Sequence, residues 1–168
     1  MIRYRAGTAA DAALMSRIGA HTFVETFGHL YSPENLAAFL ESHSEANWRK
    51  ELTDPELAVR IAEDDGESAG FAKVGPPSLP FEVTVPTAEL RQLYVLKPWH
   101  GIGIAHALMD WVLDEARRRG AEQLILSVFV DNHRARRFYA RYGFEEVGHY
   151  HFMVGDHADD DIIMRKVL

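Results

Sequence analysis

The sequence predicts one α+β domain, residues 1–168, built on a mixed β-sheet. Amphipathic stretches that suit helices alternate with short apolar runs that suit strands, and the run from Leu124 to Val130 is apolar enough for a strand covered on both faces. With 47% hydrophobic residues, the chain can bury a substantial core without disulfides or bound metal. No repeat, linker or low-complexity tract divides it, so we expect a single domain.

Capping and turn signals place the elements of the first half. Thr8 and Asp11 have the spacing of a capping box, and Ser32 with Pro33 can open a helix because serine caps and proline fits the first turn. The predicted elements are a strand at Ile2 to Arg5, a helix from Thr8 to Ile18, an aromatic segment from His21 to Phe27, a second helix from Ser32 through Leu40, a hairpin of Leu57 to Ala62 and Ser68 to Val74 around Asp64-Asp65-Gly66, and a proline-rich loop from Gly75 to Pro80.

The second half alternates strands and helices before it ends in two strands. Gly120 and Gly143 can each end a helix, because glycine tolerates the left-handed conformation of a C-terminal cap. The predicted elements are strands at Glu89 to Leu96 and Leu124 to Val130, a helix from Gly103 to about Arg119, a short helix from Asn132 to Tyr142, and final strands at Phe144 to Val154 and Ile162 to Leu168 around a loop from Gly155 to Asp160.

Composition limits the chemistry that the chain can perform. The absence of cysteine excludes thiol catalysis, disulfides and thiolate zinc sites. The nine histidines include no His-x-x-x-His pair with an acidic base, so we expect no metal site. A net charge of -7 disfavours a nucleic-acid partner. No signal peptide or apolar span of about 20 residues is visible, so we expect a soluble cytoplasmic protein without membrane contact.

A glycine-bearing turn, His100-Gly101-Ile102-Gly103-Ile104-Ala105, follows the strand that contains Leu93-Tyr94-Val95. The turn leads into a helix, so successive backbone N–H groups point outward, and small residues let an anion approach them closely. A P-loop would need Gly-Lys-Ser/Thr here, and a dinucleotide-binding unit would place its glycines after the first strand rather than about the fourth. The turn therefore predicts an anion site of another kind.

With these residues the chain resembles the GNAT superfamily of N-acetyltransferases. His100 to Ala105 match the acetyl-CoA motif Gln/Arg-x-x-Gly-x-Gly/Ala, with His100 in place of the first residue. The matches to a second family motif are Asn132, Ala135, Phe138, Tyr139 and Tyr142-Gly143-Phe144. The resemblance implies a GNAT fold, with a mixed, mostly antiparallel sheet of about seven strands flanked by helices. It also implies acetyl-CoA as co-substrate, with cofactor-binding residues Leu93, Tyr94, Val95, His100, Gly101, Ile102, Gly103, Ile104, Ala105, Asn132, Ala135 and Tyr139.

A closer resemblance, to bacterial Pai-type polyamine (spermidine/spermine) acetyltransferases, spans nearly the whole chain. The matching pieces are Thr22-Phe23, Glu25 to Gly28, Leu93 to Val95, His151-Phe152, Gly155-Asp156, Asp161, Met164 and Leu168. This resemblance implies a small primary amine, such as a polyamine, as acceptor, and a possible homodimer. The alternatives are a protein or peptide N-acetyltransferase and a non-catalytic acyl-CoA-binding regulatory module.

Acetyl transfer needs a neutral amine, and removing the proton from an alkyl ammonium at pH 7 costs roughly 4 to 5 kcal/mol. Glu89 lies where several GNAT enzymes carry a glutamate base, and Tyr139 matches the family's general acid. The resemblance therefore implies Glu89 as base, directly or through water, and Tyr139 as the proton donor to the leaving thiolate. The structural alternatives are a solvated strand carboxylate for Glu89 and simple aromatic packing beside Phe138 for Tyr139.

Further side chains are candidates for the walls of the site. Glu25 could pair with a cationic amine, whereas ordinary core packing explains the aromatic candidates equally well. The candidate substrate-binding residues are Phe23, Glu25, Phe27, Tyr31, His149 and His151. The two histidines could instead be surface residues. A basic helix face that could meet the CoA 3′-phosphate, or be a solvated surface, comprises Arg134, Arg136, Arg137 and Arg141. For His100 we expect a phosphate contact that depends on the charge of its imidazole.

Overall fold

The computed structural model describes all 168 residues, which form five α-helices and seven β-strands. The helices are α1 (Ala12–Phe27), α2 (Pro33–Leu40), α3 (Glu45–Leu52), α4 (Ile104–Arg118) and α5 (His133–Arg141). The strands are β1 (Ile2–Ala6), β2 (Ala58–Asp64), β3 (Glu67–Gly75), β4 (Thr87–Val95), β5 (Gln123–Phe129), β6 (Glu145–Val154) and β7 (His157–Val167). No helix is both long and apolar enough to cross a membrane.

All seven strands join one sheet in the order β1-β2-β3-β4-β5-β7-β6. Every neighbouring pair is antiparallel except β4 and β5. The parallel pairing covers only three residue pairs, from Thr87 opposite Gln123 to Glu89 opposite Ile125, although β4 continues to Val95 and β5 to Phe129. The two strands therefore separate toward their C-terminal ends. The predicted mixed, mostly antiparallel sheet of about seven strands is confirmed.

Helices cover both faces of the sheet and fix β4 from both sides. On one face, Leu108 and Val112 of α4 are fully buried in a core that Leu93 of β4 also joins. On the other face, Trp48 of α3 is buried with α1 side chains in a second core, against which Tyr94 packs. Each large apolar side chain removed from water contributes about 1.5–3 kcal/mol to the stability of the fold. Both cores therefore stabilise β4, which borders the gap between β4 and β5.

The connection from β1 to α1 is held by charged hydrogen bonds. Arg5 binds both carboxylate oxygens of Asp11, at 2.8 and 2.9 Å, and Glu63 at 2.9 Å. Asp11 also accepts from the Thr8 backbone N–H at 2.9 Å, which confirms the predicted capping box. The Arg5 guanidinium holds the pKa of Asp11 at about 2.

Two predictions about local structure were wrong, and one helix was not predicted. Helix α1 continues to Phe27, because the predicted aromatic segment contains no breaker and buries Phe23 on the helix face that meets the core. Helix α3, which carries the buried Trp48, was not predicted. The predicted loop from Gly155 to Asp160 is only a turn at Gly155 and Asp156, since β7 already begins at His157.

Gly70 allows β3 to approach the end of β4 closely. A Cβ at Gly70 would lie within contact distance of the Tyr94 carbonyl oxygen and 3.1 Å from Val95 Cα. We expect Gly70→Ala to push the strands apart and to lower the free energy of unfolding by about 1–3 kcal/mol in denaturant titrations. Gly148→Ala is the control, because its nearest neighbour would be an Ile163 side-chain atom at 3.7 Å. Equal losses in the two variants would contradict this account.

Candidate active site

The separation of β4 and β5 opens a cavity of about 660 Å³ that passes between the two strands. Leu93 and Val95 of β4 line one side, and Ser127 and Phe129 of β5 line the other. One half of the cavity ends at the N-terminus of α4, and the other lies beneath α1 and α2. The halves share one space, so molecules bound in each can meet at the opening in the sheet.

The glycine turn forms the floor of the first half. Gly101 and Gly103 have φ values of +80° and +93°, which only glycine adopts without strain, and a Cβ on either would point into open space. The first helical hydrogen bond joins Ala107 N to Gly103 O at 3.0 Å, so the amides of residues 104–106 have no partner within α4. Free amides at the positive end of a 15-residue helix fit a diphosphate.

His100 does not point a free, charged ring at this anion site. Its Nε2 donates to the Val95 carbonyl oxygen at 2.6 Å. Its Nδ1 lies 2.7 Å from Arg134 Nη1, and since a guanidinium can only donate, Nδ1 accepts. Both ring nitrogens are thus engaged by protein groups. The ring has no free nitrogen for the expected phosphate contact in this arrangement, and the Arg134 guanidinium lies beside it at this end of the cavity.

Helix α5 brings a capping side chain and a phenol to the same half. The Asn132 side chain caps the helix by accepting from Ala135 N at 3.3 Å. The Tyr139 ring packs between Phe138 and Phe144, with centroids 5.5 and 5.8 Å away, while its side chain borders the cavity. Burial raises the pKa of Tyr139 above the usual phenol value, so it stays protonated at neutral pH. The residue therefore combines packing with an available proton.

The second half of the cavity has an aromatic wall. Phe23 stacks on Tyr31 with centroids 5.9 Å apart, and it also contacts Phe39 at 4.1 Å. Phe27 meets the edge of Phe129 of β5 at 6.2 Å. These rings present apolar surface and electron-rich faces, which together suit a cation with an alkyl stem.

Two aspartates of β7 stand beside this wall. The Tyr31 hydroxyl donates to Asp159, and His157 lies 3.0 Å from the same carboxylate. Asp161 is 7% exposed and lines the cavity. Burial and the nearby Asp159 charge raise the pKa of Asp161 to about 7, against an opposing hydrogen bond with Tyr150. The carboxyl group of Asp161 can therefore gain or lose a proton near neutral pH.

A separate charged group at the far end of this half is internally balanced. The Lys73 ammonium pairs with Glu51 at 2.8 Å and lies 4.8 Å from the Trp48 ring centroid. Burial lowers the pKa of Lys73, while the Glu51 charge opposes that change. Burial also lowers the pKa of His43 to about 4, so His43 is neutral and accepts from Trp48 Nε1 at 3.3 Å. Glu51 thus neutralises the charge of Lys73, and Lys73 does not compensate the charge of Asp161.

Glu89 is buried, with 4% exposure, and is not among the residues that line the cavity. Its carboxylate accepts from Ser78 N at 2.8 Å, Ser78 Oγ at 2.7 Å and Leu79 N at 3.0 Å. The proline-rich loop therefore folds over Glu89 and uses its lone pairs. The structure makes Glu89 an anchor for this loop. It is not the solvated carboxylate that was the structural alternative, and its side chain does not line the cavity where a direct base would stand.

The structure brings most of the predicted site residues to one cavity. Ile102 is the exception among the cofactor candidates, with a side chain 59% exposed to solvent. The predicted residues that line the cavity are Leu93, Tyr94, Val95, His100, Gly101, Gly103, Ile104, Ala105, Asn132, Ala135 and Tyr139, together with Phe23, Phe27, Tyr31, Arg134 and Arg141. Arg136 instead pairs with Glu146 at 2.5 Å, and Arg137 lies on the surface.

Three substrate-binding candidates lie outside the cavity lining. Glu25 accepts from the Lys97 backbone N–H at 2.7 Å and so holds the segment after β4. His149 and His151 of β6 are exposed, and their neighbours Tyr150 and Phe152 face inward instead. Because side chains alternate along a strand, the two histidines lie on the outward face of β6 and are surface residues rather than pocket-lining ones.

The sequence reasoning also missed cavity residues that the fold brings together. Asp159 and Asp161 alternate with exposed Asp160, a period-2 signal that could have placed them on one face of a strand. The predicted loop ends at Asp160 and the predicted strand begins at Ile162, and this boundary divides the alternating pattern. Phe39 and Phe152 had no local signal of their own, because only tertiary packing places them against the same wall.

The sequence is similar to those of known N-acetyltransferases. Residues 24–144 match the acetyltransferase (GNAT) family. An uncharacterised N-acetyltransferase of Mycobacterium tuberculosis is 35% identical over 94% of this chain and 98% of its own length. The aminoalkylphosphonate N-acetyltransferase of Salmonella typhimurium is 34% identical over 60% of this chain and 64% of its own.

The fold is also that of a solved family member. The PaiA N-acetyltransferase of Thermoplasma acidophilum, crystallised with coenzyme A, superposes with a TM-score of 0.81 over 100% of this chain and 99% of its own, at 20% identity. The glycine turn with its free amides and positive helix end provides a fitting place for the diphosphate of that cofactor. The chain belongs to the acetyltransferase (GNAT) family and is an acetyl-CoA-dependent N-acetyltransferase.

Proposed function

We propose that this enzyme acetylates the primary amine of a small molecule. The observation that carries the proposal lies in the second half of the cavity, beneath α1 and α2, which we call the acceptor half. There, aromatic rings stand beside the carboxylates of Asp159 and Asp161. Rings and carboxylates both attract cations, and an alkyl ammonium offers a charge together with an apolar stem. This half opens onto the first half, at the N-terminus of α4, which we call the cofactor half. An amine bound in the acceptor half can therefore reach the acetyl group.

One relative named for a small acceptor supports this proposal. The Salmonella typhimurium relative acts on an aminoalkylphosphonate, and the resemblance to Pai-type enzymes favours a polyamine for this chain. A polyamine has a second positive charge, which Asp159 could meet while Asp161 faces the reacting nitrogen. The helices α1 and α2 that roof this half favour a compact acceptor over a folded protein.

The cofactor half has the groups that acetyl transfer requires. When bound, acetyl-CoA supplies an acetyl thioester. Because β4 pairs with β5 only as far as Glu89, later backbone groups of β4 on that side have no strand partner, and an N–H near Val95 can polarise the acetyl carbonyl. Tyr139 can donate its proton as the C–S bond breaks, and proximity offsets the difference between its pKa and that of a thiol.

The first test is a thiol-release assay across diamines, polyamines, amino acids, aminoalkylphosphonates and aminoglycosides. We expect turnover with at least one small primary amine, and faster turnover with amines that carry a second cationic group than with uncharged analogues of equal length. Peptides with free N-termini serve as the comparison. Turnover of peptides without turnover of any small amine would contradict the proposal.

Tyr139→Phe tests the proton donor. Removing the hydroxyl should lower kcat by about 100-fold or more, while calorimetric affinity for acetyl-CoA stays near that of the wild type, because the ring packing is kept. Tyr142→Phe is the matched control, since Tyr142 does not line the cavity and its hydroxyl is engaged by His106 and Asp110. Equal kcat in Tyr139→Phe and wild type would exclude Tyr139 as the acid.

Arg134→Gln tests the side-chain contribution to cofactor binding. We propose that Arg134 turns from His100 to a CoA phosphate, so its removal should weaken CoA binding about 10-fold or more at low salt. The matched control is Arg137→Gln, three residues along the same helix and outside the cavity lining. If both variants bind CoA as the wild type does, backbone amides alone hold the cofactor.

A further inference from the structure

We propose that the carboxylate of Asp161 takes the proton from the ammonium group of the acceptor before acetyl transfer. This inference rests on the proposed function, since it needs an amine acceptor. It assigns the base to β7, on the opposite side of the opening from Glu89.

The position of Asp161 supports this role. It lies in the seventh strand opposite Phe129, at the end of β5 that borders the opening, and its side chain lines the cavity. Only 7% of the residue is exposed. A carboxylate this well buried needs a compensating partner, or it loses its charge.

No cation of the protein supplies that partner. On the neighbouring positions of the same strand, Asp159 pairs with His157 at 3.0 Å and Asp160 with His151 at 3.2 Å. The Lys73 ammonium already belongs to Glu51. Asp161 is therefore the cavity carboxylate that has no cationic partner from the protein. The ammonium group of a ligand that enters between the aromatic rings can pair with it.

The titratable groups that face Asp161 are all acids or phenols. Asp159 and Asp160 of its own strand act on it, together with Tyr150 of β6, Tyr94 of β4 and Tyr31 just before α2. The Tyr150 hydroxyl also donates to Ser127 Oγ at 3.0 Å. The phenols have raised pKa values, about 12 for both Tyr94 and Tyr150, so they stay neutral while Asp161 titrates.

The proposed step balances as follows. An N–H bond of the ammonium breaks and its proton passes to Asp161, leaving a neutral amine. The amine nitrogen forms a bond to the acetyl carbon while the C–S bond breaks, and Tyr139 protonates the departing sulfur. The nitrogen then gives its extra proton back to the Tyr139 oxygen, and Asp161 releases its proton to water. The products are an amide, a free thiol and one proton.

Asp161→Asn tests the step in the full-length enzyme with the best amine from the thiol-release assay. At pH 7 we expect kcat/KM to fall about 100-fold or more, and to recover as the pH approaches the pKa of the amine, about 10, where the substrate is already neutral. The wild-type profile should show an acidic limb near pH 7 that this variant lacks.

Two controls locate the effect. Asp160→Asn changes the next carboxylate of the strand, which is 70% exposed, and should keep the wild-type rate and the acidic limb, moved at most slightly to lower pH because the Asp160 charge also raises the pKa of Asp161. Glu89→Gln changes the carboxylate that anchors the loop and should keep the acidic limb, whatever it costs in stability. Loss of the limb in Glu89→Gln together with its retention in Asp161→Asn would overturn the inference.

A second readout needs no substrate. The folded pKa of Asp161, about 7, exceeds its unfolded value of 3.8, so wild-type stability should decline as the pH rises from about 4 to 7. Asparagine is neutral and similar in shape, so Tm of Asp161→Asn relative to the wild type should be higher at pH 8 than at pH 4. Failure of this variant to fold at pH 8 would contradict the inference.

The two proposals fail in different ways. Amine turnover by the wild type with an unchanged profile in Asp161→Asn would overturn the role of Asp161 and leave the proposed function intact. If Asp161→Asn is stabilised at pH 8 but the wild-type enzyme acetylates no small amine, the proposed function is overturned.

Discussion

The early end of the parallel pairing between β4 and β5 determines where everything else in the site can be. After three residue pairs the strands part, and each leaves backbone groups without a neighbour on one side. Such groups cost free energy in a dry interior but are useful beside a ligand, which can supply the missing hydrogen bonds. The outer partners hold the opening in place, because β3 follows β4 to Val95 and β7 follows β5 to Phe129.

Features that depend on local sequence were predictable. Gly101 and Gly103 are needed for their own backbone conformations, and Asn132 caps the helix that begins at the next residue. Signals of this kind stand within a few positions of one another, so the sequence shows them directly. The order of strands and helices, and the residues that line the first half of the cavity, were therefore predictable from local sequence.

Features that depend on tertiary packing were not predictable. Glu89 has the right residue type on the right strand, but the loop from Gly75 to Pro80 folds over its carboxylate. His149 and His151 miss the cavity by one position each, because strand pairing decides which face turns inward. The buried Asp161 went unnoticed as a site residue because its environment comes from β4, β5 and β6, which are far apart in the sequence.

The acceptor half is closed by contacts between distant segments. Asn35 of α2 accepts from the Asp156 backbone N–H at 2.9 Å, in the turn between β6 and β7, and Tyr31 reaches Asp159 just beyond that turn. These contacts tie the roof of the cavity to the strand that carries both aspartates. The β6–β7 hairpin carries the two aspartates and also contacts the roof. A movement of the roof would therefore change the position of the aspartates.

The anion site at the start of α4 is made of main-chain amides, and this has a consequence for how the protein can change. Amides are present whatever the side chains are, so the cofactor half tolerates a residue such as His100 where the motif has glutamine or arginine. The acceptor half depends on side chains from other segments, including Phe23, Phe39 and Asp161. Under the proposed function, mutations in α1, α2 and the β6–β7 hairpin would change which molecules are modified and leave the acetyl donor bound, which makes this region the place to engineer new specificities.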